Sequence, residues 1–367
     1  MGRLEDLHEG ARVEGRTPSG ATTIVQVDRY GNGATTVVYR DPNGRVTERL
    51  LFCSELFRSD EEWLGLVEDV RSGKQNDEQA VFRLTSEGHR IALTRLVDPF
   101  TTSWKAGYSS GIIKAGASVG DTLVLLHHWD PDVDPETNLR RIRRENVLGK
   151  ATRSRVEDVL AILRRRYASD VRVIRALTTW FRTAGDGTAL RRLLYFHSAL
   201  ADRLLADVVV EILGPLRASG QRAIGVGDLL APLRGWLADG RMAAPWRETT
   251  LRRVAEGLLA TLRDFGLLEG AVHKRFSTFT LPVPAAAYVA FWLYKGLGSG
   301  RKVLVDPAWR LFFLDPQDVE VLLLQAHRAG LLDYRAAGSV VRLEFPATEL
   351  EVYARAAAAG AAAAAGV

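Results

Sequence analysis

From Tyr108 onward apolar residues recur every three or four positions, whereas residues 10–53 alternate short β-branched runs with turn chemistry. The alternation predicts strands at TTIVQVD, TTVVYR and TERLLF, separated by YGNG and DPNG. Short strands joined by tight turns predict a small antiparallel β barrel. Two helical stretches are expected next, near 60–71 and 77–97, with Asp77 able to cap the second. Asp98-Pro99 ends that helix, because the residue before proline disfavours the α region.

Beyond Tyr108 the period predicts helices near 109–128, 135–147, 155–167, 170–184, 188–214, 226–238, 248–265, 284–296 and 316–329. Asp134-Pro135 is a helix start, with a capping residue followed by proline in the first turn. Ser154-Arg-Val-Glu157 has the spacing of a capping box. Gly240, Gly266 and Gly330 fall where helices should stop. The final stretch, AAAAGAAAAAGV, is low in complexity and expected to be frayed or disordered. The fold class is therefore mainly α with a small N-terminal antiparallel β barrel.

Charge changes this picture. Residues 1–100 hold 13 basic and 17 acidic side chains, a net −4, and the remainder holds 36 basic and 27 acidic, a net +9. An acidic leading segment thus precedes a basic body suited to polyanions. Of the basic residues 42 are Arg and seven are Lys, a bias that favours bidentate phosphate contacts but also accompanies Ala- and Gly-rich, GC-rich coding. The single cysteine, Cys53, excludes an internal disulfide or a multi-cysteine metal site and fits a reducing cytoplasm. MGRLEDLHEG has no apolar core, so no signal peptide is expected. The longest apolar runs are too short to span a bilayer, and no membrane anchoring is implied.

The charge concentrates in LRRIRRENVLGKATRSRVEDVLAILRRRY, residues 139–167, where ten Arg or Lys face three acidic residues. Gly149-Lys150 fails as a nucleotide-binding loop, since Ala151 stands where Ser or Thr should bind magnesium and Arg144 where the first glycine should be. Val156, Val159, Leu160, Leu163 and Tyr167 form an inward stripe. Arg155 and Arg166, eleven residues apart, should then share one outer flank within ~20°. Arg140, Arg141, Arg143 and Arg144 should lie mostly outside Leu139 and Ile142. Lys150, Arg153 and Ser154 surround a helix N-terminus, where free N–H groups attract anions. A bare solvated face is the plain alternative. However, the net +8 over 140–175 repels itself unless a polyanion or counterions neutralise it.

A second constellation follows. VGDLLAPLRGWLADG and RETTLRRVAEGLLATLRDFGLLEG predict two helices, and AVHKRFSTFTLP an extended basic stretch. That is the order of a winged helix. It places Thr249, Arg252 and Arg253 at the start of the second helix, and Lys274 and Arg275 on the wing. VEVLLLQAHRAGLLDY followed by SVVRLEF repeats the helix–strand pattern. His127, His128 and Asp130 lack a second ligand cluster, and His197 and Asp202 do not share a helix face, so structural histidines are the expected reading. No catalytic signature and no cofactor motif stands out.

At YSSGIIKAGA, at the 138–167 segment, and at LLYFHSALADRLL, TLRRVAEGLLATLRDFGLLEG, WRLFFLDPQDVEVLLLQAHRAGLLDY and GSVVRLEFP, the chain resembles the BrxA family of bacteriophage exclusion (BREX) defence systems. The resemblance spans residues 108–353. It implies a non-enzymatic, mostly helical protein with NusB-like and winged-helix-like elements. It also implies binding of double-stranded DNA beside other phage-defence proteins. VVYRDPNGRVTERLLF and FRLTSEGHRIALTRLVDPF are similar to the leading segment of Swi/Snf-type defence helicases, without the motor.

The expected organisation is an SH3/Tudor-like barrel over 1–57 and a helical connector over 58–104. A basic helical domain over 105–220, a winged-helix-like domain over 221–353 and an Ala-rich tail over 354–367 follow. The expected function is a cytoplasmic DNA-binding accessory of phage defence acting through Arg–phosphate contacts. The rival is a docking scaffold for defence proteins without direct DNA contact.

Overall fold

The β-branched runs ahead of Phe52 pair as antiparallel strands in sequence order: β1 (Arg12–Val13), β2 (Thr22–Tyr30), β3 (Ala34–Arg40) and β4 (Val46–Phe52). Pairs such as Val27↔Val37 and Val38↔Glu48 set the register. A bulge between Ile24 and Gln26 interrupts β2, and Val25 there is exposed. The expected closed barrel is corrected to an open meander. Among the described residues β1 and β4 do not pair, and β1 contributes only two paired positions, too few to close a barrel.

The computed structural model describes residues 12–13, 22–30, 34–40, 46–52, 107–242, 244–337 and 340–365. The chain divides into two units, Met1–Ser86 and Glu87–Val367. The helices expected near 60–71 and 77–97, and Cys53, lie outside the described residues.

In the second unit the helical period is realised with breaks that local chemistry explains. The stretch from 109 splits into α1 (Ile112–Ala115) and α2 (Val119–His128). Gly116 and Ser118 both take positive φ there, which ends one helix and re-aims the next. Next comes α3 (Pro135–Arg144), capped by Asp134, whose carboxylate accepts the Thr137 N–H at 3.0 Å. In α4 (Arg153–Leu163) the cap is Thr152, accepting from the Arg155 N–H, and not the expected Ser154–Glu157 box. A π-helical turn, Arg164–Ala168, widens its end. The helices α5 (Val171–Ala184) and α6 (Thr188–Ala201) follow. The single helix expected over 188–214 breaks at Asp202, which leaves helical geometry and caps α7 (Arg203–Asp207). A second π turn, Val208–Leu213, leads into α8 (Gly214–Ala218).

The remaining elements are β5 (Ala223–Ile224), α9 (Val226–Ala238), α10 (Glu248–Asp264), β6 (Leu268–Glu269) and β7 (Lys274–Phe276), with the sheet ordered β5-β7-β6. Then come α11 (Val283–Leu297), α12 (Gly300–Leu304), the 3-10 turn Pro307–Phe312, α13 (Pro316–Arg328), and the hairpin of β8 (Asp333–Ala337) with β9 (Val340–Glu344). Gly300 lets α12 approach this hairpin, since a Cβ there would meet the Val341 carbonyl at 2.6 Å. Gly240, Gly266 and Gly330 end their helices with positive φ, as expected.

The alanine tail is a correction. Leu350–Ala365 is a helix, α14, packed against α5. Tyr353, Ala354, Ala357 and Ala358 are buried, and Tyr353 stacks on Phe291 at 4.4 Å. Alanine has the highest helix propensity, and its small side chain allows close helix packing. One hydrophobic core runs from Tyr108 to Ala358, rich in buried aromatics such as Trp129, Trp180, Tyr195 and Phe265. No described helix is long and apolar enough to cross a membrane.

Candidate nucleic-acid interface

The predicted stripes hold. Val156, Val159, Leu160, Leu163 and Tyr167 on α4, and Leu139 and Ile142 on α3, are buried. The basic side chains between them are therefore pushed outward, and what each touches decides whether it is available to a polyanion. Arg140, Arg143, Arg144, Arg153 and Arg155 are exposed. Among the described residues Arg140 bonds Thr137 on its own helix, at 2.8 Å. Arg144 pairs with the adjacent Glu145 at 2.9 Å. Arg143 and Arg153 share Glu157, at 3.9 and 3.5 Å. Such exposed pairs contribute about 0–1 kcal/mol each, so a phosphate can displace them at small cost.

Arg155, though exposed, donates to the Lys114 carbonyl, and three further predicted contacts are engaged on more covered side chains. Arg141 is half-buried and donates to the His128 carbonyl and to Asn138, tying α3 to the end of α2. Lys150 pairs with Asp121 at 2.6 Å, and both side chains are three-quarters or more covered. Arg166 is corrected outright: it is 4% exposed and donates to the Ala117 carbonyl at 3.3 Å. The eleven-residue rule assumed a regular helix. The π turn at Arg164–Ala168 adds width to the last turn and carries Arg166 inward. The neighbouring Arg165 is exposed.

In the second constellation, Thr249, Arg252 and Arg253 are exposed on the first two turns of α10. Neither arginine forms an ion pair among the described residues. Glu248 ahead of them is drawn off by Arg234 at 3.2 Å, which holds its carboxyl below the usual range. On β7, Lys274 reaches the Ala271 carbonyl at 3.2 Å and Arg275 pairs with Glu269 at 2.6 Å. The hairpin is braced from below. Phe276 meets Phe313 edge-on at 6.0 Å, and buried Arg192 donates to the Thr280 carbonyl and to the Phe265 carbonyl at the end of α10.

Exposed basic residues near these elements that sequence reasoning missed include Lys114 on α1, Arg222 before β5 and Arg247 before α10. For Arg247 the signal was present, since it stands immediately ahead of a predicted helix start. For Lys114 there was none, because its neighbours come from distant segments.

Several buried titratable groups bond within the core. His197 is buried, with its Nε2 3.1 Å from the Tyr288 hydroxyl, and burial lowers its pKa to about 3. Tyr108 donates to buried Asp207, whose carboxyl is pushed up to about 6 by burial and then by Glu211 nearby. Arg203 pairs with Asp207 at 3.2 Å, and Arg241 with Glu211 at 2.9 Å. Among the described residues no group of three or more His, Cys, Asp or Glu is arranged to hold a metal ion.

Fold and surface thus define a mainly helical protein with exposed arginines gathered on two sets of elements. The BrxA family model matches residues 106–290, half of the chain, and the chain belongs to the BrxA family. Membership implies a part in bacteriophage exclusion (BREX) defence, as a non-catalytic component. Residues 3–64 match a domain of unknown function (DUF8742), and the likeness of the leading segment to Swi/Snf-type helicases gains no support from that match. No curated protein matches the chain.

Proposed function

We propose that this protein is a non-enzymatic DNA-binding accessory of BREX phage defence, holding double-stranded DNA mainly through Arg–phosphate contacts. The observation that carries the reading is the arrangement around α10. A helix, a short strand, two helices and a two-stranded ribbon, with sheet order β5-β7-β6, follow the order of a winged helix. In such units the N-terminal part of the last helix before the ribbon, here α10, and the wing meet DNA, which here brings Thr249, Arg252, Arg253, Lys274 and Arg275 to the duplex. The exposed arginines of α3 and α4 add a second phosphate-binding face. Affinity then depends steeply on salt and weakly on sequence, because phosphate contacts carry no base information.

The test is duplex binding by gel shift across a salt series, with log affinity falling linearly with log salt. Lys274→Glu with Arg275→Glu should weaken it by placing negative charge against phosphate. A folded protein that shows no duplex binding, yet still co-purifies with other defence proteins, would replace this reading with the docking scaffold.

A further inference from the structure

The two basic faces share a neighbour. The short helix α1 packs against both α4 and α10. On the α10 side, Ile112 lies against Gly257: a Cβ there would sit 3.5 Å from the Ile112 carbonyl and 3.6 Å from its side chain. One turn further on, Thr261 faces Gly116 in the same way. On the α4 side, Lys114 pairs with Asp158 at 3.0 Å, and Arg155 donates to the Lys114 carbonyl. The carbonyls that α1 leaves open at its end need donors, and Arg155 and Ser118 supply them, while buried Arg166 donates to the Ala117 carbonyl in the link to α2. The start of the segment is fixed separately. The Tyr108 N–H bonds the Arg241 carbonyl at 2.7 Å, and its hydroxyl donates to Asp207.

These contacts also orient the basic faces. Arg155 and Asp158, three residues apart, share the side of α4 that meets α1. Arg253 is four residues before Gly257, so it lies within ~40° of the side of α10 that meets α1. Arg155 and Arg253 therefore border the same short helix, from which Ile113 and Lys114 emerge to solvent. Packed helices lie roughly 8–10 Å apart, so α4 and α10 are separated through α1 by at most about 20 Å. That is less than one duplex turn of ≈34 Å.

We infer that residues 108–118 are a spacer that holds α4 beside α10, so that both basic faces meet one duplex. The inference rests on the DNA-binding reading above. Gly257 and Arg166 are its positioning residues: neither needs to touch DNA, and each fixes where an arginine-bearing helix stands.

The test changes the spacing without changing charge. Gly257→Leu inserts a side chain where Ile112 packs and should push α1 and α10 apart. Duplex affinity should fall at least tenfold, and the slope of log affinity against log salt should fall by about two units or more, since several phosphates are released together. Gly257→Ala, whose Cβ sits at ordinary van der Waals distance, should weaken binding by no more than about twofold. Circular dichroism and a thermal melt establish folding. If Gly257→Leu does not fold, Ile112→Val thins the same packing by one methyl, and a weakening of about threefold with a reduced slope is expected. A folded variant with wild-type affinity and slope overturns the spacer while leaving DNA binding intact. If wild-type protein does not bind duplex at all, both readings fall.

Discussion

At the residue scale, the buried His197 and the exposed arginines make opposite demands on solvent. His197 stays neutral because charging it would remove an ion from water into a core of Tyr288, Phe196 and Trp292. Its folded pKa of about 3 lies below the ordinary 6.5, so the unfolded chain takes up the proton first as pH falls. This contribution is complete above pH 6.5 and is lost as pH falls toward 3. Between pH 7.5 and 4.5 wild type should lose about 3 kcal/mol from this group, at about 1.4 kcal/mol per unit. His197→Gln should lose that much less over the same interval, measured by denaturant midpoints. An equal loss in both proteins would remove His197 as the cause. The arginines should leave stability almost untouched. Replacing Arg140, Arg144 and Arg153 with Ala should shift folding by less than about 0.5 kcal/mol. The salt slope of duplex binding should fall by about 0.9 for each phosphate no longer neutralised. A folded triple variant with unchanged slope would take these three residues out of the interface.

At the element scale, helix packing decides what charge and composition leave open. The alanine run reads as low complexity, yet α14 buries Ala357 and Ala358 and leaves Ala356 exposed. Ala357→Leu should therefore overpack the core and cost about 1–3 kcal/mol, while Ala356→Leu should be nearly neutral in a chemical denaturation series. Equal, negligible effects would mean that this helix does not pack. The same contrast shows what was legible in the sequence. The inward stripes of α3 and α4, the Asp134 cap and the glycine stops each depend on a local period or a local hydrogen bond, so a window of a few residues contained them. The burial of Arg166 did not, because it follows from a π turn that shifts register by less than a residue. The docking of α14 against α5 depends on a partner nearly two hundred residues away. The candidate interface was half legible. Residue type and periodicity marked Arg140, Arg144, Arg252 and Arg253 as outward. Nothing local showed that Arg141, Lys150 and Arg166 hold the fold together, or that α1 adjoins both basic helices.

At the scale of the whole molecule, the division of charge follows the division of the chain. Residues 1–100 carry a net −4 and the remainder +9, and the body's core is built from residues between Tyr108 and Ala358. A net negative segment lacks the counterion-release term that drives binding to duplex DNA. An antiparallel meander of short strands instead offers backbone N–H and C=O groups along an edge, which a strand of another protein can pair with. The leading segment is thus proposed to recruit a protein, and the body to hold DNA. Protein truncated to residues 105–367 should fold, because it retains every described core residue, Tyr108 to Ala358. It should bind duplex within about threefold of the full chain, with the same salt slope, because every proposed phosphate-binding side chain is retained. In pull-downs from cells carrying the defence system it should lose at least one partner, and protection against phage should drop. Loss of duplex binding in a folded truncation would place the leading segment in the nucleic-acid interface. Retention of every partner would assign recruitment to the body instead.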